Sequence, residues 1–168
     1  MKREKRGAME LSFGMIFSII LIVIFLGFGS YAIIKWIGIT NTANVGKFLN
    51  DFQNDVNSAW KSAQVSQEKE YPLPSEIDLV CIGNYSGASG TGNDAGLYNE
   101  LKREYSEGEN LIFYPIGSAG GLSSKKIEHL NIQKTIESAN PLCIRSINGK
   151  IKITLKKDYS DDLVTIKE

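Results

Sequence analysis

No charged side chain interrupts the chain from Leu11 to Ile34, a run of 24 residues. As an α-helix rising 1.5 Å per residue, such a run is about 36 Å long, more than the roughly 30 Å hydrocarbon core of a bilayer. The 42% hydrophobic content of the whole chain would suit an ordinary soluble domain, but that average conceals two unlike halves. A cleaved secretory peptide has an apolar region of about 7 to 15 residues before a small-residue cleavage site, so this run exceeds that pattern and is expected to stay with the protein. Lys2, Arg3, Lys5 and Arg6, against Glu4, precede the span, whereas Lys35 and Lys47 after it are opposed by Asp51 and Asp55. The excess of cations at the head predicts a single-pass protein of the cell membrane, with its N-terminus in the cytoplasm and everything after about Trp36 outside.

Beyond the span, at 100° per residue, Ile34, Val45, Phe48, Leu49, Phe52, Val56, Ala59, Trp60 and Ala63 fall in one stripe, with Lys47, Asn50, Asn54, Asn57 and Lys61 opposite. One helix from about Met9 to about Ala63 is expected, apolar all round and then amphipathic. Ile39-Thr40-Asn41-Thr42 is its weakest stretch, where a bend or short break is expected. The apolar stripe can cover the chain's own globular domain, pack on further copies, or do both. Within the span, Glu10, Gly14 and Ser18 are spaced i, i+4, i+8 and form a narrow strip of small or polar groups that lets helices approach closely.

The string Lys5-Arg6-Gly7-Ala8-Met9-Glu10, followed directly by the apolar helix, resembles the class III signal peptide of archaeal type IV pilin-like proteins. It is similar also to the opening of short archaeal membrane proteins. The resemblance covers residues 2 to 34. It implies that a prepilin peptidase recognises Arg6 and Gly7, cuts after Gly7 on the cytoplasmic side, and leaves Ala8 as the mature N-terminus and the apolar helix as a filament core. Loss of the basic leader would free the helix head to leave the bilayer for a bundle of like helices. The acidic residue departs from the family pattern: pilins commonly carry it fifth in the mature chain, and Glu10 would be third.

Four segments follow from this reading: a basic cytoplasmic leader over 1–7, a transmembrane helix over 8–37, an amphipathic helical extension over 38–66 and an external domain over 67–168. "AQVSQEKEYPLPSE" reads as a linker or extended lead-in. Ile77 to Ile82 and Leu111 to Tyr114 read as buried strands, with a short helix from Tyr98 to Tyr105 between them. In "LCIRSINGKIKITL", Asn148-Gly149 signals a hairpin whose register opposes Ile147 to Lys150 and Ile144 to Ile153. Leu142, Ile144, Ile151, Ile153 and Leu155 then share a dry face, with Arg145, Lys150 and Lys152 on the wet one. Ile127 to Ile132 and Leu163 to Ile166 can add strands. The fold class expected is α+β: a long N-terminal helix, then a small, mainly antiparallel β-sheet domain with one short helix.

Cys81 and Cys143, the only cysteines, each fall in a strand. Outside the cell they favour a disulfide; the alternative is two buried thiols, since strict alternation puts Cys143 opposite in sense to Ile144. Asn84-Tyr85-Ser86 is the sole N-x-S/T triplet, which makes Asn84 a candidate N-glycosylation acceptor. The Gly-rich stretch after it lacks both phosphate-loop spellings, because Asn93 stands where a lysine would be required, and reads as a flexible surface loop. His129 and Glu128 are adjacent and so point apart on a strand. No zinc spacing, no legible Ser, His and acid set, and no cofactor motif occurs. Asp158, Asp161 and Asp162 lack the spacing of a calcium loop. Zero net charge and no basic patch beyond the leader leave no footprint for nucleic acid.

The chain is therefore expected not to be an enzyme. Its expected partners are membrane lipid, a prepilin peptidase and further copies through the N-terminal helix. The expectation is a structural subunit of a pilin-like or pseudopilin-like surface assembly; the alternative is an uncleaved single-pass protein displaying a partner-binding domain.

Overall fold

In the computed structural model, which describes residues 13–168, helix α1 runs from Phe13 to Lys61. The helix continues through Ile39-Thr40-Asn41-Thr42, so the expected break is absent: four mediocre helix formers do not interrupt a ladder supported on either side. The chain divides into two units, Met1–Ile39 and Thr40–Glu168. From Phe13 to Ile39 the first unit is helix alone.

The second unit is α+β. After α1 come β1 (Val65–Pro72), β2 (Leu79–Ile82), the short helix α2 (Tyr98–Leu101), β3 (Leu111–Tyr114), β4 (Ser124–Lys125), a second short helix α3 (Ile132–Thr135), β5 (Leu142–Arg145), β6 (Lys150–Lys157) and β7 (Thr165–Lys167). The strands form two antiparallel sheets, one ordered β1-β6-β7 and the other β4-β3-β2-β5. A long N-terminal apolar helix followed by a small antiparallel β domain is a pilin-like architecture.

The amphipathic part of α1 and both sheets share one core. Val45, Phe48, Leu49, Phe52, Val56 and Ala59 are buried at the spacing of one helix face. They meet Tyr71, Val80, Ile82, Phe113, Ile144, Ile151, Ile153, Leu155 and Ile166 from the sheets. Phe48 and Phe52 stack with centroids 5.7 Å apart, and the Tyr71 ring stands edge-on to both. Of the stripe expected from the sequence, Ala63 lies beyond the helix end and Trp60 is 37% exposed. The last turn of α1 leaves carbonyls without helical partners; the Lys157 ammonium donates to that of Trp60 at 2.6 Å and to the Ser62 carbonyl, just past the helix end, at 2.9 Å.

Three expectations need correction. The linker is a strand: β1 alternates Glu68 and Glu70 outward with Gln67, Lys69 and Tyr71 inward, and its outer acids pair with Lys152 and Lys150 of β6. A polar edge strand has little apolar content to mark it. The Asn148-Gly149 turn exists, with Asn148 at φ 54°, Gly149 at φ 70° and Ile147 bridging Lys150, but the ladder goes no further. Beyond the turn β5 pairs with β2 and β6 with β1, and the Ser146 amide donates to Asp78, so the two arms enter different sheets. Ile127 to Ile132 is not a strand either. His129 sits at φ 65°, a single parallel bridge joins Leu130 to Val164, and Ile132 opens α3.

Candidate functional site

Every large apolar side chain from Phe13 to Ile39 is exposed. Exposing one such side chain rather than burying it costs about 1.5–3 kcal/mol, so a surface of this extent in water would be strongly unfavourable. By length and composition the helix is able to cross a bilayer, with none of its apolar stretch buried in protein. Inside such a stretch the Ser18 hydroxyl donates to the Gly14 carbonyl at 2.8 Å, which satisfies its donor within the helix. Toward the far end, Tyr31, Lys35 and Trp36 lie close in sequence, and the Lys35 ammonium sits 5.8 Å from the Tyr31 ring centroid. Amphipathic rings and a cation suit a headgroup boundary. Arg6, Gly7, Ala8 and Glu10 lie outside the described residues; Gly14 and Ser18 are the described part of the expected strip.

The four-stranded sheet of the second unit is covered on both faces. Val80, Ile82, Leu111, Phe113 and Ile144 face the main core, while Leu79, Cys81, Ile112 and Cys143 face a second cluster with Tyr85, Tyr98 and Leu101. Alternation thus places Cys143 on the face opposite Ile144, as the sequence suggests, but that face is also buried. Cys81 and Cys143 are direct cross-strand partners of β2 and β5 and form a disulfide, S–S 2.08 Å and Cα–Cα 4.0 Å. The second cluster was not legible beforehand, because its apolar groups are tyrosines scattered over loops and a four-residue helix. Tyr85 is wholly buried, stacks on Tyr98 at 5.5 Å, and has no hydrogen-bond partner for its hydroxyl among the described residues. Burial pushes its pKa above the ordinary range.

Asn84, just before Tyr85, is exposed. Its Oδ1 accepts from the Ser86 amide at 3.0 Å and the Ser86 hydroxyl at 2.6 Å, an Asx turn. Its backbone is clamped by Asn140, whose Oδ1 accepts from the Asn84 amide and whose Nδ2 donates to the Asn84 carbonyl. The Gly-rich stretch that follows is strapped down: Thr91 bridges Asn140, and a Cβ on Gly90 would lie 2.6 Å from both the Asn140 carbonyl oxygen and the Tyr98 Cβ. Close approach explains the glycine there.

The remaining polar groups make ion pairs and packing contacts. His129 stacks on Trp60 at 3.8 Å, and its Nδ1 lies 3.1 Å from the Asn57 Oδ1; Glu128 instead pairs with Lys126. Tyr71 donates to Asp55 at 2.8 Å, and burial followed by that carboxylate drives its pKa upward. Lys134 lowers the Asp161 carboxyl below its ordinary range, and Lys150 does the same for Glu70. Among the described residues no group of three or more His, Cys, Asp or Glu side chains is arranged to hold a metal. No protein-family model matches this chain, and neither the curated proteins nor the solved structures contain a significantly similar one.

Proposed function

We propose that this protein is a membrane-anchored structural subunit of a pilin-like or pseudopilin-like surface assembly, processed after Gly7. The observation that carries the reading is the two-part character of α1. The same helix is apolar and uncovered from Phe13 to Ile39, then amphipathic with its apolar face inside a folded β domain. Helices with a fully apolar surface require lipid or other helices around them. In the first case the chain is anchored; in the second, copies gather through the anchor once the cationic leader is gone. The positive leader supports a cytoplasmic N-terminus with the second unit outside, and the Cys81–Cys143 disulfide fits an oxidising exterior.

The intact mass of the protein, produced in membranes with and without a prepilin peptidase, tests this directly. A mature chain beginning at Ala8, abolished by Gly7→Val, is the expected result. A full-length mass under both conditions would overturn it. One observation favours the second reading, an uncleaved single-pass protein displaying a partner-binding domain: Glu10 would stand third in the mature chain, out of the register in which pilin subunits pair.

A further inference from the structure

The Asx turn at Asn84 uses only half of that side chain. Its Oδ1 takes both hydrogen bonds from Ser86, and because the Ser86 backbone amide is a fixed donor, the atom facing it must be oxygen. Nδ2 therefore points elsewhere, on an exposed residue, and makes no hydrogen bond among the described residues. An aspartate would close the same turn equally well. The fold accounts for an oxygen at this position and leaves the carboxamide nitrogen unexplained.

We infer that Asn84 Nδ2 is a glycosylation acceptor for a polyprenyl-phosphate-linked sugar. This rests on the proposal that the second unit lies outside the membrane, where such lipid-linked donors meet a translocated chain. Three features suit the reaction. Ser86 supplies the hydroxyl of the acceptor triplet and already holds it against the Asn84 side chain at 2.6 Å. Two donors on Oδ1 draw electron density toward oxygen and so acidify the Nδ2 protons. The acceptor residue is also accessible: Asn84 is exposed and borders a surface concavity of about 460 Å³. Glu109, Lys126, Glu128 and His129 line that concavity and offer polar contacts to a proximal sugar.

In the transfer, Nδ2 attacks C1 of the donor sugar. The C–N bond forms as the C1–O bond to phosphate breaks, the electron pair leaves with the polyprenyl phosphate, and an amide proton passes to a base of the transferase. No oxidant or reductant is needed. The clamp by Asn140 and the burial of Tyr85 hold the triplet at the surface in one conformation, so the acceptor survives folding.

The test is the intact mass of the full chain isolated from membranes of its source, compared with Asn84→Asp, Asn84→Gln, Ser86→Ala and Ser86→Thr. Asn84→Asp keeps the turn acceptor and thus the fold, while removing the nucleophilic nitrogen. The expected result is an excess over the polypeptide mass equal to one or more sugar residues, lost in the first three variants, kept in Ser86→Thr, and localised to Asn84 in peptides. Protease treatment of intact cells runs beside it. An unmodified mass with the second unit accessible to protease would overturn the acceptor assignment alone. An unmodified mass with that unit protected would overturn the external placement and the acceptor with it.

Discussion

Replacing both half-cystines, Cys81→Ala with Cys143→Ala, isolates the contribution of the disulfide to the second unit. The bond closes a loop of sequence separation 62, containing β3, β4 and both short helices. In the chain-entropy account, releasing a loop of that size from the unfolded ensemble costs the native state about 4 kcal/mol of stability. For a unit of this size each kcal/mol moves Tm by roughly 3–5 °C, so the double variant should melt roughly 12–20 °C lower. Equilibrium denaturant titration in detergent is the cleaner assay, because Cys81 is fully buried and Cys143 is 7% exposed, so reductant reaches the native bond only through opening of the β5 edge. The midpoint should fall with the linear slope rising slightly, as an uncrosslinked chain exposes more surface on unfolding. A loss below about 1 kcal/mol would refute the reasoning: β2 and β5 would then stay close in the unfolded ensemble without the bond.

Phe52→Ala removes a wholly buried ring flanked by Phe48 and Tyr71, and should cost about 3–5 kcal/mol by denaturant titration. Gly90→Ala forces a Cβ against Asn140 and Tyr98 and should cost about 1–3 kcal/mol, whereas Gly96→Ala, with open space around it, should be near neutral; thermal melts separate the two. Tyr85→Phe deletes a hydroxyl without a partner among the described residues and should leave stability within about 0.5 kcal/mol, while Tyr98→Phe loses a bond to the Gly87 carbonyl and should cost about 1 kcal/mol. Asp161 has a folded pKa lowered by Lys134, so its contribution is present above the ordinary value of 3.8 and is lost as pH falls through the folded value. Asp161→Asn should flatten the acid limb of a Tm against pH curve, and an unchanged limb would count against the pair. Lys134, raised above its ordinary 10.5, works in the opposite sense: its share is present below that value and lost as pH rises through the folded one.

The helix was legible because its two signals are long. An uncharged run needs no context, and the spacing of Val45, Phe48, Leu49, Phe52, Val56 and Ala59 repeats over four turns. The strands at Leu79–Ile82 and Leu111–Tyr114 were legible as short apolar blocks. The partners of β5 and β6 were not. A two-residue turn fixes only Ile147 and Lys150, and which strand each arm then joins depends on residues as distant as Asp78 and Glu70. β1 was hidden because its stabilising contacts are ion pairs and one tyrosine. The cysteine pair was found by counting, but its direct cross-strand register and the tyrosine cluster behind it come from long-range packing. At Asn84 the triplet was readable, while the engagement of Oδ1 by Ser86 needed the hydrogen-bond geometry.

The path of the chain through the three-stranded sheet has a consequence for how surfaces can diversify. The chain leaves that sheet at Pro72 and returns at Lys150, its direct partner, with the Leu73 amide bonded to the Gly149 carbonyl at 2.8 Å. Everything between, including the four-stranded sheet, the disulfide and the Asn84 loop, is a closed excursion whose two ends meet. Such a segment is a cassette. Any replacement that presents one apolar sheet face to Phe48 and its neighbours, and whose ends meet at the same point, can be spliced into the frame formed by α1, β1, β6 and β7. The outer side of the cassette is then at liberty to vary in shape, charge and decoration while the N-terminal helix and the frame stay constant.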